Sequence, residues 1–150
     1  MRFNHRMTAV AGCAALLAAG LATGTAGAAD ETKCSTPVLT STSVQLANPG
    51  RWSYTYKVTW CVENGEITAI TPHVTHEADG STCTWVTNAE EAQTPVRDGS
   101  GAWNAYNMAE FSCRNSDGTD GIANPWAIIT VWPNGTSSVL RKGIGDVIVT

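Results

Sequence analysis

The chain has 150 residues, of which 43% are hydrophobic, and its formal net charge is −4 at neutral pH. This length predicts one domain with a buried core of its own. The negative charge, and the lack of any cluster of Lys or Arg denser than Arg141-Lys142, exclude nucleic acids and membrane surfaces as main partners.

The first 28 residues have the layout of a secretory signal peptide. Arg2 and Arg6 lie in a short basic start, an apolar run extends over residues 7–22, and residues 26–28 form an Ala-x-Ala cleavage site. The apolar run is shorter than the roughly 20 residues that a membrane span needs. We therefore expect a secreted protein in which residues 29–150 form a single mature domain.

Four cysteines remain after the predicted cleavage, and an even number in a small exported domain predicts two disulfides. They are Cys34, Cys61, Cys83 and Cys113. Three connectivities are possible. We favour Cys34–Cys61 with Cys83–Cys113, because each bond then joins neighbouring predicted strands. A zinc site is disfavoured, because structural zinc ligands usually come in closely spaced pairs and these cysteines are widely spaced.

Segments rich in Thr, Val, Trp, Tyr and Ile alternate with Asx-Gly dipeptides, a pattern typical of strands joined by tight turns. A first strand is predicted at Val38–Leu46. The clearest strand is Trp52–Val62, where aromatic or apolar side chains alternate with mostly polar ones. Asn64-Gly65 turns it into a strand at Glu66–Glu77, in which Pro72 indicates an edge position or a bulge.

The second half of the chain continues this pattern. Cys83–Thr87 predicts a short strand, Ala89–Gln93 has the composition of one helical turn, and Trp103–Arg114 predicts a longer strand. Trp126–Trp132 is apolar at both alternating sets of positions, which suits a strand covered on both sides. Two final strands are predicted at Ser137–Arg141 and Val147–Val149.

Seven or eight antiparallel strands with almost no helix predict an all-β fold. We expect a two-sheet β-sandwich held by two disulfides, and a small β-barrel is the second choice. No internal repeat or long linker divides the mature chain.

The mature chain contains six tryptophans, a frequency several times that of an ordinary protein. In exported β-domains such residues either fill the core or form platforms for sugars and partner proteins. Trp52 and Trp60 share the apolar face of one predicted strand and are expected in the core, and Trp85 is expected to pack beside a disulfide. The candidate binding residues are Trp103, Tyr106, Trp126 and Trp132, for each of which a core position is the alternative.

Patterns for catalysis and metal binding are incomplete. His73 and His76 are three residues apart on a predicted strand, so their side chains point to opposite faces and do not converge on a metal. The sequence has no Gly-x-Ser-x-Gly elbow, and oxidised cysteines are not nucleophiles. We therefore predict no catalytic residues, no metal and no cofactor.

These observations favour a secreted, non-enzymatic protein-interaction module. Examples are a subunit or adaptor of an extracellular assembly, such as a toxin particle, and an inhibitor of a secreted enzyme. The expected partner is another secreted or cell-surface protein. Two alternatives stay open: a carbohydrate- or cell-wall-binding module, which the tryptophan excess supports, and a small extracellular hydrolase.

Overall fold

The computed structural model describes residues 34–150. Within this range the chain forms strands and turns, and it has no helix of the length and apolarity needed to cross a membrane. The predicted signal peptide lies outside the described residues.

Ten strands follow one another along the described chain, and all their pairings are antiparallel. They are β1 (Leu39–Thr40), β2 (Val44–Asn48), β3 (Trp52–Glu63), β4 (Glu66–Ala78), β5 (Cys83–Pro95), β6 (Trp103–Arg114), β7 (Asp120–Ala123), β8 (Pro125–Val131), β9 (Ser137–Ile144) and β10 (Val147–Ile148). Strands β1–β4 form sheet A, and strands β5–β10 form sheet B. The predicted two-sheet antiparallel sandwich is confirmed. The barrel is not formed, because no ladder in the described residues joins β4 to β5 or β2 to β9.

The core follows from the alternation on β3. Every second residue from Trp52 to Trp60 is at most 6% exposed, which confirms the predicted core positions of both tryptophans. The large rings of β3 lie opposite strands that supply several alanines, and this difference in size lets the two sheets pack closely. The buried residues of β6 and β8 are Ala105, Asn107, Ala109, Phe111, Cys113, Pro125, Ala127, Ile129, Thr130 and Val131.

The predicted first strand is in fact two short strands. Both β1 and β2 pair with β3, and Ser41 lies between them. The Ser41 N–H donates to the Val58 carbonyl, and the Val58 N–H donates in return to Ser41 Oγ. A side-chain hydroxyl thus takes the place of a ladder carbonyl at the interruption, so the chain changes course without leaving a buried Val58 N–H unpaired.

The prediction of a helical turn at Ala89–Gln93 is wrong. These residues belong to β5, and Glu90, Glu91, Ala92 and Gln93 each pair with a residue of β6. A single helical turn in water is unstable, whereas the ladder with β6 gives four of these five residues a cross-strand partner. The ladder shifts register at two points, next to Val86 and next to Ala89.

The two disulfides have the favoured pairing, although Cys34 lies before β1 and not on a strand. Cys34 is bonded to Cys61, and Cys83 is bonded to Cys113, its direct partner in the β5–β6 ladder. Bonds of this kind persist in oxidising environments, and they are consistent with an extracellular location.

Candidate functional site

The register of sheet B determines which side chains face away from the core. In an antiparallel sheet, directly paired residues share a face and successive residues alternate between faces. On β6, Ala105 and Asn107 are buried against sheet A, so Tyr106 and Met108 lie on the outer face. On β8, Trp126 and Ile128 likewise alternate with buried residues and face outward.

Four of these outward side chains form a contiguous apolar cluster. Tyr106 pairs with Ile128, and Met108 pairs with Trp126. All four are partly exposed, and we term them the aromatic strip. The ring centroids of Tyr106 and Trp126 are 6.3 Å apart, with the rings inclined at 45°. No third layer covers the strip within residues 34–150, so the prediction that β8 is covered on both sides is wrong.

Trp126 is held in place by the backbone of the β9–β10 hairpin. Its Nε1–H donates to the Gly145 carbonyl over 2.7 Å. Its ring also covers Gly143, where an added Cβ would lie 2.6 Å from Cζ2 and 2.7 Å from Cε2 of the indole. Gly143 is therefore the residue that gives the ring room. The indole is ordered before any partner binds, which lowers the entropic cost of binding.

Polar and charged groups border the aromatic strip. On one side, Asn104 pairs with Thr130, whose hydroxyl donates to Asn104 Oδ1 over 2.7 Å. On the outer strands, Glu90 of β5 pairs with Met108, and Arg141 of β9 pairs with Ile128. An apolar centre with a polar rim is the usual anatomy of a protein interface.

The strip contains no group suited to acid–base chemistry near neutral pH. Partial burial, together with the negative charge of Glu90, raises the pKa of the Tyr106 phenol above its ordinary value. The phenol therefore stays protonated and can donate a hydrogen bond. The strip thus offers contact area and hydrogen bonds to a binding partner.

The structure brings together only two of the four predicted binding residues. Tyr106 and Trp126 lie side by side on the outer face, as described above. Trp103 lies on the inner side of β6 and packs against the core. Trp132 begins the β8–β9 turn, and its carbonyl accepts a hydrogen bond from Trp60 Nε1 at 3.2 Å.

Sequence reasoning missed Met108 and Ile128 as members of the site. The signal that could have identified them is that buried and partly exposed residues alternate along β6 and β8. An apolar residue on a strand gives the same sequence pattern whether its side chain is covered by another layer of the fold or by a partner protein. The sequence alone therefore did not reveal that Met108 and Ile128 are exposed.

The two histidines of the described chain point to opposite faces of sheet A, as predicted. His73 Nε2 is 2.8 Å from the Thr59 hydroxyl, whereas the His76 ring stacks on Trp85 with centroids 3.7 Å apart. Partial burial lowers the pKa of both imidazoles, and the charge of Lys57 lowers that of His73 further.

Trp85 is thus occupied by packing contacts rather than free for a ligand. Besides the His76 stack, its ring meets Phe111 edge-on at a centroid distance of 5.2 Å. Within residues 34–150, no three His, Cys, Asp or Glu side chains come together in a group that could hold a metal ion. The aromatic strip is therefore the best-defined candidate site of the described chain. No protein-family model, curated protein or solved structure matches this sequence, so a functional proposal depends on the geometry of the strip.

Proposed function

We propose that this protein is a secreted, non-enzymatic binding module that holds another secreted or cell-surface protein through the aromatic strip. One observation carries the proposal: Tyr106, Met108, Trp126 and Ile128 form a continuous, partly exposed cluster on a sheet face without a covering layer in residues 34–150. Trp, Tyr and Met are enriched at the centres of protein interfaces, and Trp and Tyr supply many of the residues that dominate binding energy.

The charged rim of the aromatic strip favours a protein as the partner over a purely apolar ligand. Glu90 and Arg141 lie on the two strands that flank the strip, β5 and β9, and have opposite charges. Charges at the rim add little affinity when exposed, but they orient an approaching partner and disfavour wrong ones. A complementary protein surface supplies both an apolar centre and paired charges.

The predicted signal peptide and the two disulfides support a role outside the cell. In that setting the module fits a subunit or adaptor of an extracellular assembly, such as a toxin particle, or an inhibitor of a secreted enzyme. In each case the protein acts by occupying a surface of its partner.

A carbohydrate- or cell-wall-binding role is the second candidate, and one observation favours it. The Trp126 indole covers the Gly143 backbone, and its N–H is already satisfied internally. Such a fixed ring is suited to stacking against a sugar. The 45° inclination of Tyr106 and the aliphatic Met108 and Ile128 favour the protein partner, because they interrupt a flat platform.

The test is affinity capture from the medium of the producing cells with wild-type protein and a Tyr106→Ser/Ile128→Ser double variant. We expect a partner that binds the wild type in a fixed ratio and binds the double variant about 30-fold more weakly, since interface hot spots contribute about 2 kcal/mol or more. The matched control is Thr55→Ser/Thr75→Ser, a paired site on sheet A, which should bind as wild type.

Two outcomes would contradict the proposal. One is repeated recovery of the wild-type protein alone, without a stoichiometric partner. The other is retention on insoluble polysaccharide that Trp126→Ala abolishes, which would establish the carbohydrate role instead.

A further inference from the structure

A second surface lies at the β9 edge of sheet B, next to the strand that carries Trp126 and Ile128. A groove of about 400 Å³ runs between β2 and the β9–β10 hairpin, and we term it the β2–β9 groove. Its lining consists of Ser43, Val44, Gln45, Val139, Leu140, Arg141, Lys142, Ile148, Val149 and Thr150. None of the four side chains of the aromatic strip is part of this lining, whereas Arg141 borders both the strip and the groove.

Exposed apolar side chains concentrate on β9 and β10, and three of them, Val139, Leu140 and Ile148, line the groove. Of the seven large hydrophobic side chains that are exposed in the described residues, four lie on β9 and β10: Val139, Leu140, Val147 and Ile148. Leu140 has no partner in the ladder, because Val139 and Arg141 pair with consecutive residues of β8 and leave it as an exposed bulge. Contiguous exposed apolar groups of this kind mark interaction sites.

Both rims of the groove are strand edges with free backbone groups. Strand β2 pairs only with β3, and residues 137–141 of β9 pair only with β8 in the described ladders. A strand edge whose N–H and C=O groups lack a ladder partner is a template for an added strand.

The charge of the groove differs from that of the whole chain. Its lining includes Arg141 and Lys142 and contains no Asp or Glu, although the complete sequence has a net charge of −4. A local positive charge in an acidic protein attracts a negatively charged segment and repels a basic one.

From these observations we infer that the β2–β9 groove binds an extended acidic peptide segment of a partner protein, which adds to the free edge of β9 as a strand. Main-chain hydrogen bonds hold the segment, and its apolar side chains contact Val139, which pairs with the buried Ile129 and so lies on the inner face. Its carboxylates point to the opposite face and pair with Arg141, whose ladder partner Ile128 faces outward, and Lys142 adds to the positive charge of the groove. This inference does not depend on the proposed function, because none of the four side chains of the strip lines the groove, although Arg141 borders both surfaces.

The test uses a fluorescein-labelled, nine-residue peptide of alternating valine and glutamate, with binding followed by fluorescence anisotropy. We expect saturable binding that weakens as salt is added. We expect Arg141→Gln/Lys142→Gln to bind about fivefold more weakly, since each exposed ion pair contributes at most about 1 kcal/mol. A peptide with lysine in place of glutamate should not bind, nor should one N-methylated at alternate residues, because N-methylation removes the main-chain donors.

Amide hydrogen exchange of the complex locates the peptide. Protection should appear in residues 137–141, and the Tyr106→Ser/Ile128→Ser variant should bind the peptide as wild type does. Loss of peptide binding in that variant would overturn the inference and assign the peptide to the aromatic strip. Absence of saturable binding, equal binding of the lysine peptide, or protection confined to β5 would each overturn it as well.

A second copy of this chain is the competing occupant. Sedimentation of the protein without peptide distinguishes the two, because a dimer that Leu140→Asp dissociates would identify the groove as a self-interface and overturn the inference. Leu140 is exposed at a bulge, so this substitution should leave the fold intact, and circular dichroism checks that it does.

Discussion

At the scale of single residues, Asp79 organises the turn that leads from sheet A to sheet B. Its carboxylate accepts hydrogen bonds from the backbone N–H groups of Ser81, Thr82 and Cys83, at 2.7 Å for Cys83, and from the Ser81 and Thr82 hydroxyls. These donors favour the ionised form, so the pKa of Asp79 lies well below its ordinary value, with the Thr82 side chain as the largest cause.

We predict that Asp79→Asn lowers the free energy of unfolding at neutral pH. We also expect that free energy to fall less steeply as the pH is lowered than it does in the wild type. A carboxylate whose pKa is depressed in the folded state stabilises that state above the unfolded pKa of about 4. The contribution is lost as pH falls below that value, because the unfolded chain takes up the proton first. Urea unfolding of both proteins between pH 7 and pH 2 measures this.

The control for this prediction is Asp146→Asn, because the Asp146 carboxylate accepts none of the side-chain hydrogen bonds found in residues 34–150. It should follow the wild-type curve. A pH dependence in Asp79→Asn equal to that of the wild type would show that the turn does not depend on the ionised carboxylate.

At the scale of elements, the interruption between β1 and β2 shows how one hydroxyl preserves a sheet. Ser41 is buried, and its Oγ accepts from the Val58 N–H at 3.0 Å and donates to the Thr42 carbonyl at 2.9 Å. Ser43, two residues later, is exposed and lies outside this pair of bonds. The two serines are close in sequence but differ in structural role.

We predict that Ser41→Ala destabilises the protein by about 1–3 kcal/mol, because it leaves the buried Val58 N–H without a partner. The matched substitution Ser43→Ala should change the free energy of unfolding by less than about 0.5 kcal/mol. Chemical denaturation with oxidised protein measures both values. Equal effects of the two substitutions would refute the role assigned to Ser41.

At the scale of the whole molecule, a hydrogen bond inside the core connects the two sheets. Tyr54 Oη of β3 donates to Asn107 Oδ1 of β6 over 2.9 Å, and both residues are fully buried. Burial raises the pKa of the Tyr54 phenol, which keeps the donor protonated. The neighbouring Tyr56 is equally buried, but its hydroxyl has no hydrogen-bond partner among the described residues.

These two tyrosines provide a matched comparison. We predict that Tyr54→Phe lowers the free energy of unfolding by about 1–3 kcal/mol, because the Asn107 amide oxygen loses its buried donor. Tyr56→Phe should be neutral or stabilising, since it removes a buried hydroxyl that makes no bond. Urea denaturation of both variants tests this, and a larger loss for Tyr56→Phe would contradict it.

The edge strands of the two sheets differ in the side chains that they expose. Strand β4 contains Pro72 and lies at the edge of sheet A, as predicted, and β5 carries two register shifts together with Glu90 and Glu91. Proline, bulges and charges are the usual protection of a strand edge against unwanted pairing. Strand β9 also has a bulge and the charges of Arg141 and Lys142, but its bulge exposes an apolar side chain, Leu140. This contrast sets the β2–β9 groove apart from the other edges.

The sequence alone determined the features that depend on local pattern. The alternation along Trp52–Val62 predicted both the strand and its buried face, because a period of two encodes extended backbone and sidedness together. Asn64-Gly65 predicted the hairpin that follows, since this dipeptide tolerates the positive φ angles that the turn adopts. The even cysteine count predicted two bonds, and strand order then favoured the pairing that is present.

Only the tertiary structure decided the features that depend on pairing between distant strands. Ala89–Gln93 is extended because β6 lies beside it, and its own composition favours a helix. Tyr106 and Trp126 meet because the β6–β8 register places them on adjacent rows of one face. Whether that face is covered depends on the number of layers in the fold. Layer number and register are set by long-range packing, which a local sequence pattern does not contain.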